Sequence, residues 1–268
     1  MAGDCNASGL GTHQAGAIRF DGVDLAGLGA KQRRALRRHI QMVFQDPYAS
    51  LDPRQSVGEI VVEGLLAQGL GRWPALRERA ADLLQSVGLP RSAVARAPHE
   101  FSGGQRQRIG IARALAVQPR LIVADEPVSA LDLSVQAQIL NLLFDQQRAR
   151  GLALLFIGHD LSVIRHFCDR VLVLYRGQVV ESGDTASLFA TPRHPYTRAL
   201  IAAAPASHPA QRRLRPSLAG DPPSALEPLE GCVFRARCPH ALDSCASGRP
   251  PLRPVGDAHL SACLRDDL

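Results

Sequence analysis

The chain has 268 residues, 46% hydrophobic and 21% charged, a globular balance that excludes a disordered or collagen-like main state. That length can bury one large core, or one domain with an appendage. No apolar run approaches the roughly 18 residues of a membrane span. The opening MAGDCNASGLGTHQAG has no basic segment followed by an apolar one, so a cytosolic chain is expected. The formal net charge is +6, and Lys31 is the only lysine among 31 basic residues. A balance built on arginine beside abundant alanine reads as a GC-rich coding bias. It is also compatible with an anionic membrane face or nucleotide phosphates.

The single lysine has a sharper use. A phosphate-cradling P-loop needs a lysine before Ser or Thr in the pattern GxxxxGK[ST]. Lys31 sits in GAKQRRALRR with no such frame, so these residues contain no P-loop.

In chain order, AIRFDGVDL at 17–25 predicts a strand, a turn at Asp21-Gly22 and a second short strand. A basic helix follows over 30–40, then an apolar strand in HIQMVFQDP at 39–47, stopped by Asp46-Pro47. Residues 56–88 read as mostly helical, broken by glycines at 69–71 and amphipathic over 75–87. HEFSGGQRQRIGIARALAVQPR predicts a Gly-rich turn entering a helix that ends near Pro119. The bare apolar run at 121–124 is typical of a strand buried on both faces of a parallel sheet. A helix over about 134–150 and strands in LALLFIG and VLVLYRG complete an alternation that predicts an α/β fold with a parallel sheet. From about residue 191 proline is dense, so 191–268 is expected to be an appendage outside the sheet domain.

LIVADE at 121–126 ends in Asp125 and Glu126, at the strand end where parallel sheets bind ligands. An aspartate there can hold Mg²⁺ beside phosphates, and an adjacent glutamate can polarise a water. Two acids after an apolar run are also how a plain strand ends. In FSGGQ at 101–105, glycines permit close backbone approach, and Ser102 with the helix-start amides makes an anion site. The plainer reading is an N-capping serine followed by flexible glycines. Three further elements join these: Gln45 in VFQDPYASLDPR, SALD at 129–132, and Gly158-His159-Asp160. The ordered set is far more specific than any member.

From Ala17 to Phe189 these motifs resemble the nucleotide-binding subunits of ATP-binding cassette transporters. The resemblance implies a P-loop-NTPase-like parallel sheet, with a helical subdomain at about 50–118 inside an ATPase domain at 1–190, and a Cys- and Pro-rich C-terminal extension at 191–268. It implies that Gln45 is the Q-loop glutamine, which senses Mg²⁺ and water and couples to membrane subunits. Ser102, Gly103, Gly104 and Gln105 match the signature motif. Asp125 matches the magnesium ligand, Glu126 the catalytic base, Asp132 the D-loop, and His159 the switch histidine at the γ-phosphate. ATP and Mg²⁺ are the implied ligands. The implied partners are a second ATPase subunit, two membrane-spanning permease subunits and an extracytoplasmic solute-binding protein, with this chain at the cytoplasmic membrane face. HPYTRALIAAAP at 194–205 and GDPPSALEPLEGCVFRARCPHA at 220–241 resemble the oligopeptide/dipeptide importer ATPases. The implied activity is therefore ATP hydrolysis coupled to import of peptides or similar solutes. A repair or translation cassette acting on nucleic acid fits a single cassette with this tail less well, so no nucleic-acid partner is expected.

In the family the P-loop precedes the segment matched by GLGTHQAGAIRFDG at 9–22, so it is expected upstream of about residue 8. The first strands and the P-loop are therefore expected to be missing. The chain is then either the remnant of an ordinary importer ATPase or a catalytically incompetent asymmetric partner that lends its signature motif. Both readings expect no ATP hydrolysis by this chain alone.

Cys232, Cys238, Cys245 and Cys263 are spaced C-x5-C-x6-C-x17-C. Four thiols close in sequence in a cytosolic chain argue for a metal over disulfides. The spacing lacks the C-x2-C pairs of structural zinc, iron–sulfur clusters accept looser spacing, and reduced thiols without metal stay open. The importer-like tail implies a [4Fe–4S] cluster. Cys168 reads as a small core residue and Cys5 stands apart.

Overall fold

The computed structural model describes residues 16–204, 230–265 and 267. Residues 1–15 with Cys5, and 205–229 with the first part of GDPPSALEPLEGCVFRARCPHA, lie outside the described residues. The chain divides into two compact units, one ending at Gly158 and one beginning at His159. Each has its own apolar core.

In the first unit, β1 (Arg19–Phe20) and β2 (Val23–Asp24) pair antiparallel across the expected turn. Asp21 and Gly22 have φ of 51° and 79°, the two positive values of a type I′ turn, where glycine escapes a Cβ clash. After α1 (Ala30–Leu36) comes a three-stranded parallel sheet in the order β3 (Ile40–Val43), β4 (Leu121–Asp125), β5 (Ala153–Ile157). β4 is central, and Ile122, Val123 and Ala124 are buried, as its uninterrupted apolar run predicts. Val43 stands opposite Ala124 and Asp125 opposite Ile157, so the carboxyl ends of all three strands share one edge of the sheet.

Helices α2 (Val57–Ala67), α3 (Trp73–Ser86) and α4 (Gly103–Ala116) pack together through Ile60, Val61 and Leu65, Leu84, and Ile109 and Leu115. Ser56 and Glu59 form a capping box that starts α2. Hydrogen bonding from Ser56 holds the Glu59 carboxyl below its ordinary range. Helix α5 (Leu133–Arg150) ends at Gly151, whose φ of 60° stops the helix and turns the chain into β5.

The second unit holds α6 (Leu161–Phe167), β6 (Arg170–Tyr175), β7 (Gln178–Asp184), α7 (Thr185–Ala190), α8 (Pro195–Ala203), β8 (Arg253–Gly256) and β9 (His259–Ser261). The strand expected in VLVLY forms as β6, but it belongs to a second, antiparallel sheet and not to the parallel one. It runs antiparallel to β7 through a tight turn at Arg176 and Gly177, with φ of 49° and 75°. The physical reason is visible in its alternation: Val171, Val173 and Tyr175 point inward while Leu172 and Leu174 are exposed, the pattern of a one-faced hairpin strand. The tail supplies β8 and β9. β9 pairs antiparallel with β7, Ser182 opposite Leu260, so the four-stranded order is β6-β7-β9-β8. No helix among the described residues is long and apolar enough to cross a membrane.

Candidate functional site

The site grows from the end of β4. Asp125 closes the strand, half-buried, and Glu126 then takes φ of 40°, a left-handed conformation costing a glutamate about 1–3 kcal/mol. The turn is held from both sides. The Glu126 N–H donates to the Ile157 carbonyl at 2.9 Å. Its carbonyl accepts from the Ser129 N–H at 3.2 Å and the Ser129 hydroxyl at 3.1 Å. The sharp bend carries the chain from β4 through the SALD segment toward α5.

Gln45 lies two residues beyond β3 on the same sheet edge. Its Nε2 donates to Glu126 Oε2 at 3.0 Å, bringing together two predicted site residues far apart in sequence. The loop after Gln45 is internally braced: the Tyr48 N–H donates to Asp46 Oδ1 at 2.7 Å, an Asx turn fixed further by Pro47.

Ser102 is the N-cap of α4. Its hydroxyl accepts from the Gln105 N–H at 3.4 Å, and Gln105 Oε1 accepts from the Ser102 N–H at 3.0 Å. The plain capping reading of FSGGQ is therefore realised, and it coexists with the anion-site geometry. Gly103 and Gly104 stand in the first turn, where amides lack helical carbonyl partners, the dipole end is positive, and no acidic side chain is present. The glycines also let other parts of the chain come close. A Cβ on Gly104 would run into Val135, and one on Gly103 would stand 3.3 Å from Leu131 and 3.5 Å from the Tyr48 hydroxyl. The signature turn thus abuts the SALD segment and the Gln45 loop. Asp132 occupies the N-cap position of α5 and is exposed, its carbonyl accepting from the Gln136 N–H at 2.8 Å. His159 is exposed and opens the second unit, next to Asp160, whose carboxylate caps α6 through the Ser162 and Val163 amides.

The tail cysteines lie in the second unit. The Cys232 N–H donates to the Cys245 carbonyl at 2.8 Å. Burial pushes the thiols of Cys232, Cys238 and Cys263 up, and neighbouring thiols add to the push: Cys245 and Cys263 on Cys232, the other three on Cys238, Cys245 on Cys263. Backbone amides oppose it, those of Phe234 and Arg235 at Cys232, His240 at Cys238 and Arg265 at Cys263. Among the described residues, no group of three or more His, Cys, Asp or Glu is gathered closely enough to hold a single metal ion. Cys168, expected in the core, is half-buried at the end of α6, and its thiol is pushed up by burial and then by Asp169.

Two groups of residues escaped the sequence reading. One is Tyr48 with Arg106, Gln107 and Arg113 of α4, which join that helix to the Gln45 loop. Their signal is a buried glutamine among the apolar positions of an amphipathic helix. The other surrounds Glu181, which is 0% exposed. Its carboxylate accepts from the Arg193 N–H at 2.6 Å and the His194 N–H at 3.0 Å, and is hydrogen-bonded to His259 Nε2 at 2.7 Å. His194 Nδ1 accepts from the Tyr196 N–H at 3.1 Å, and burial drives this imidazole down to about 4 against the pull of Glu181. Buried Phe234 packs against Tyr175, Tyr196 and His194 at centroid distances of 5.2, 5.4 and 5.8 Å. The His194-Pro195-Tyr196 segment thereby braces the loop that carries Cys232.

Comparison with known proteins follows the same two parts of the chain. Residues 7–129 match the ABC transporter family, and residues 180–245 match the oligopeptide/dipeptide transporter C-terminal region. An ATP-binding protein of Brucella ovis, assigned by name to peptide import, is 54% identical over 254 residues, covering 95% of this chain and 80% of that protein. The di/tripeptide transport ATP-binding protein DppF of Pseudomonas aeruginosa is 47% identical over 248 residues, covering 92% and 76%. Among solved structures, the dimeric ATP-binding cassette MJ0796 in a post-hydrolysis state bound to ADP and Pi is 30% identical, with a TM-score of 0.59 over 66% of this chain and 77% of that chain. CbiO1 from Clostridium perfringens, part of the transporter complex cbiONQ, is 29% identical, with a TM-score of 0.61 over 69% and 72%. The chain belongs to the ATP-binding subunits of ABC transporters, in the branch that carries the oligopeptide/dipeptide transporter C-terminal region.

Proposed function

We propose that this chain is the ATP-hydrolysing subunit of an importer for di- or oligopeptides or similar small solutes. The observation that carries the reading is the Gln45 amide on the Glu126 carboxylate, at the carboxyl edge of the parallel sheet and linked through Tyr48 to the capped glycine turn. Glu126 orients and polarises the water that attacks the γ-phosphate. Asp125, with Gln45, is placed to hold Mg²⁺, which when bound neutralises charge on the phosphates. His159 donates to the γ-phosphate. Ser102, Gly103, Gly104 and Gln105 present helix-start amides to a nucleotide held by a second subunit, and Asp132 lies at the same seam.

The division of labour follows an ATPase domain at 1–190, with its helical part at about 50–118, and an extension at 191–268. The partners are a second ATPase subunit, two permease subunits and an extracytoplasmic binding protein, at the cytoplasmic membrane face and without nucleic acid.

One observation favours a second reading. These residues contain no GxxxxGK[ST], so on their own they offer half an active centre: a signature motif lent to a competent partner. Purified alone, the chain is expected to hydrolyse no ATP. Turnover by the isolated chain that Glu126→Gln abolishes would overturn this. Turnover restored by adding a P-loop-bearing subunit and the permeases supports the importer reading.

For the tail we propose that Cys232, Cys238, Cys245 and Cys263 hold a [4Fe–4S] cluster. In support, Cys232, Cys238 and Cys263 each feel neighbouring thiols of the set and face backbone amides, the hydrogen bonding that tunes cluster sulfurs. Anaerobically purified protein should be brown and carry iron with inorganic sulfide. Colourless, iron-free protein removes the cluster.

A further inference from the structure

Helix α1 has no buried residue and no acidic residue in its first turn. The sequence around it is cationic throughout. Lys31, Arg33, Arg34, Arg37 and Arg38 fall within eight residues, and no acid occurs from Leu25 to Gln45. At about 3.6 residues per turn, these side chains cover roughly half of the helix circumference. Arg33 and Arg37 form one flank and Lys31 the other, with Arg34 and Arg38 between them. Gln32, Ala35 and Leu36 take the opposite side.

Two of these cations are engaged internally. Arg34 donates to the carbonyl of Ala67, the last residue of α2. Arg38 Nε donates at 3.4 Å to the carbonyl of Val117, just beyond α4. Each guanidinium thus sits at a helix carboxyl end, where carbonyls lack helical partners and the dipole is negative. A helix of 7 residues is too short to persist by itself, so these tethers fix it to the first unit. The other three cations have no such use. Among the described residues, the side chains of Lys31, Arg33 and Arg37 are exposed and meet neither an acid nor a carbonyl. The nearest preceding acids are already held: Asp21 by Arg120, and Asp24 by the Ala26 N–H at 3.0 Å.

We propose that Lys31, Arg33 and Arg37 form a docking face for the phosphate headgroups of an anionic lipid bilayer. Cations clustered at a surface are attracted to such a bilayer, each worth roughly fivefold in binding. Arginine adds a planar fork that meets phosphate with two hydrogen bonds. A nucleic acid fits less well. No Phe, Tyr or Trp stands between Phe20 and Phe44, so the face offers no ring on which a base could stack. Helix α1 leads into the amino end of β3, at the opposite edge of the parallel sheet from Gln45 and Glu126. Docking there needs no nucleotide. Only its assignment to the cytoplasmic leaflet rests on the function proposed above.

The test is sedimentation of the full chain with vesicles of phosphatidylglycerol and phosphatidylcholine in equal parts, against phosphatidylcholine alone. Binding is expected to the anionic vesicles only, and it should weaken as salt shortens the Debye length below about 10 Å. Lys31→Gln, Arg33→Gln and Arg37→Gln combined should lower binding about a hundredfold. Arg72→Gln, Arg77→Gln and Arg148→Gln combined remove equal charge from exposed positions around α3 and α5 and should leave binding near wild type. Equal losses in the two triple variants overturn the proposal, because net charge would then explain the binding. Should the first triple variant fail to fold, Arg33→Gln alone decides, at about fivefold. Displacement by inorganic phosphate at matched ionic strength overturns the lipid assignment and points to a free anion. Tighter binding to polyuridylate or polyglutamate than to vesicles overturns it too, pointing to a nucleic acid or an acidic chain. Vesicle binding by a chain whose assembly hydrolyses no ATP overturns the ATPase reading and supports the docking face.

Discussion

Glu126 and Glu181 are the same residue type placed in opposite settings, one in each unit. Glu126 follows a central strand, half-buried in a strained turn, and receives the amide of an exposed loop glutamine. Glu181 lies within β7, fully buried, and receives two backbone amides and an imidazole. A loop side chain can be exchanged for water or a metal-bound ligand at modest cost. Buried backbone donors cannot, because they would be left unsatisfied. The first carboxylate can exchange its donor, as the role proposed for it requires, and the second is locked as structure. Burial and the nature of the donors make the difference.

The largest expected effect tests the poised side. In the assembled transporter Glu126→Gln should cut ATP turnover by roughly 10²–10⁴-fold, the usual worth of a general base, while leaving the denaturation midpoint of the chain unchanged. A large loss of stability would place Glu126 with the locked carboxylates. On the locked side, Glu181→Leu orphans three buried donors at about 1–3 kcal/mol each, so chemical denaturation should show a loss of about 3 kcal/mol or more. A stability near wild type would show that the knot around Glu181 is dispensable.

A pH series sharpens the contrast further. Folding holds the His194 imidazole at about 4, below its ordinary 6.5. A depressed folded value means the unfolded chain binds the proton more readily, so this contribution is complete above about pH 6.5 and is lost as the pH falls toward 4. Protonation of Nδ1 would also remove the acceptor for the Tyr196 amide. Stability of the second unit should fall across that window by up to roughly 3 kcal/mol, and His194→Asn, which keeps a capping acceptor, should flatten the slope. The smallest effect belongs to Ser102→Ala. Loss of that cap should cost about 1 kcal/mol in denaturation, and a cost several times larger would show the turn is more than a helix start.

Much of the scaffold was legible locally. The Asp21-Gly22 turn, the apolar run of β4, the helices within 56–88 with their amphipathic stretch at 75–87 and the cap at Ser102 each follow from neighbouring residues, and the structure forms them near the predicted bounds. VLVLY was legible as a strand but not as a hairpin partner, because its pairing depends on a turn at Arg176-Gly177 that looks ordinary in sequence. The candidate site divided the same way. Gln45, Ser102, Asp125 and Glu126 stood out through motif order. Gln107, Arg113, Glu181 and His259 did not, since each matters through a partner distant in the chain.

By itself, then, the sequence determined the helices and strands from β1 to β6, the order of the motifs that resemble phosphate-binding ones, and that no lysine frames a P-loop among these residues. Only the tertiary structure decided that Gln45 meets Glu126, that α4 grips the loop between them, and that β9 returns to β7 to bury Glu181. The reason is physical. Periodicity and capping are short-range and are written in consecutive residues. The pairing of polar groups across a sheet depends on register and burial, which arise only when distant strands come together.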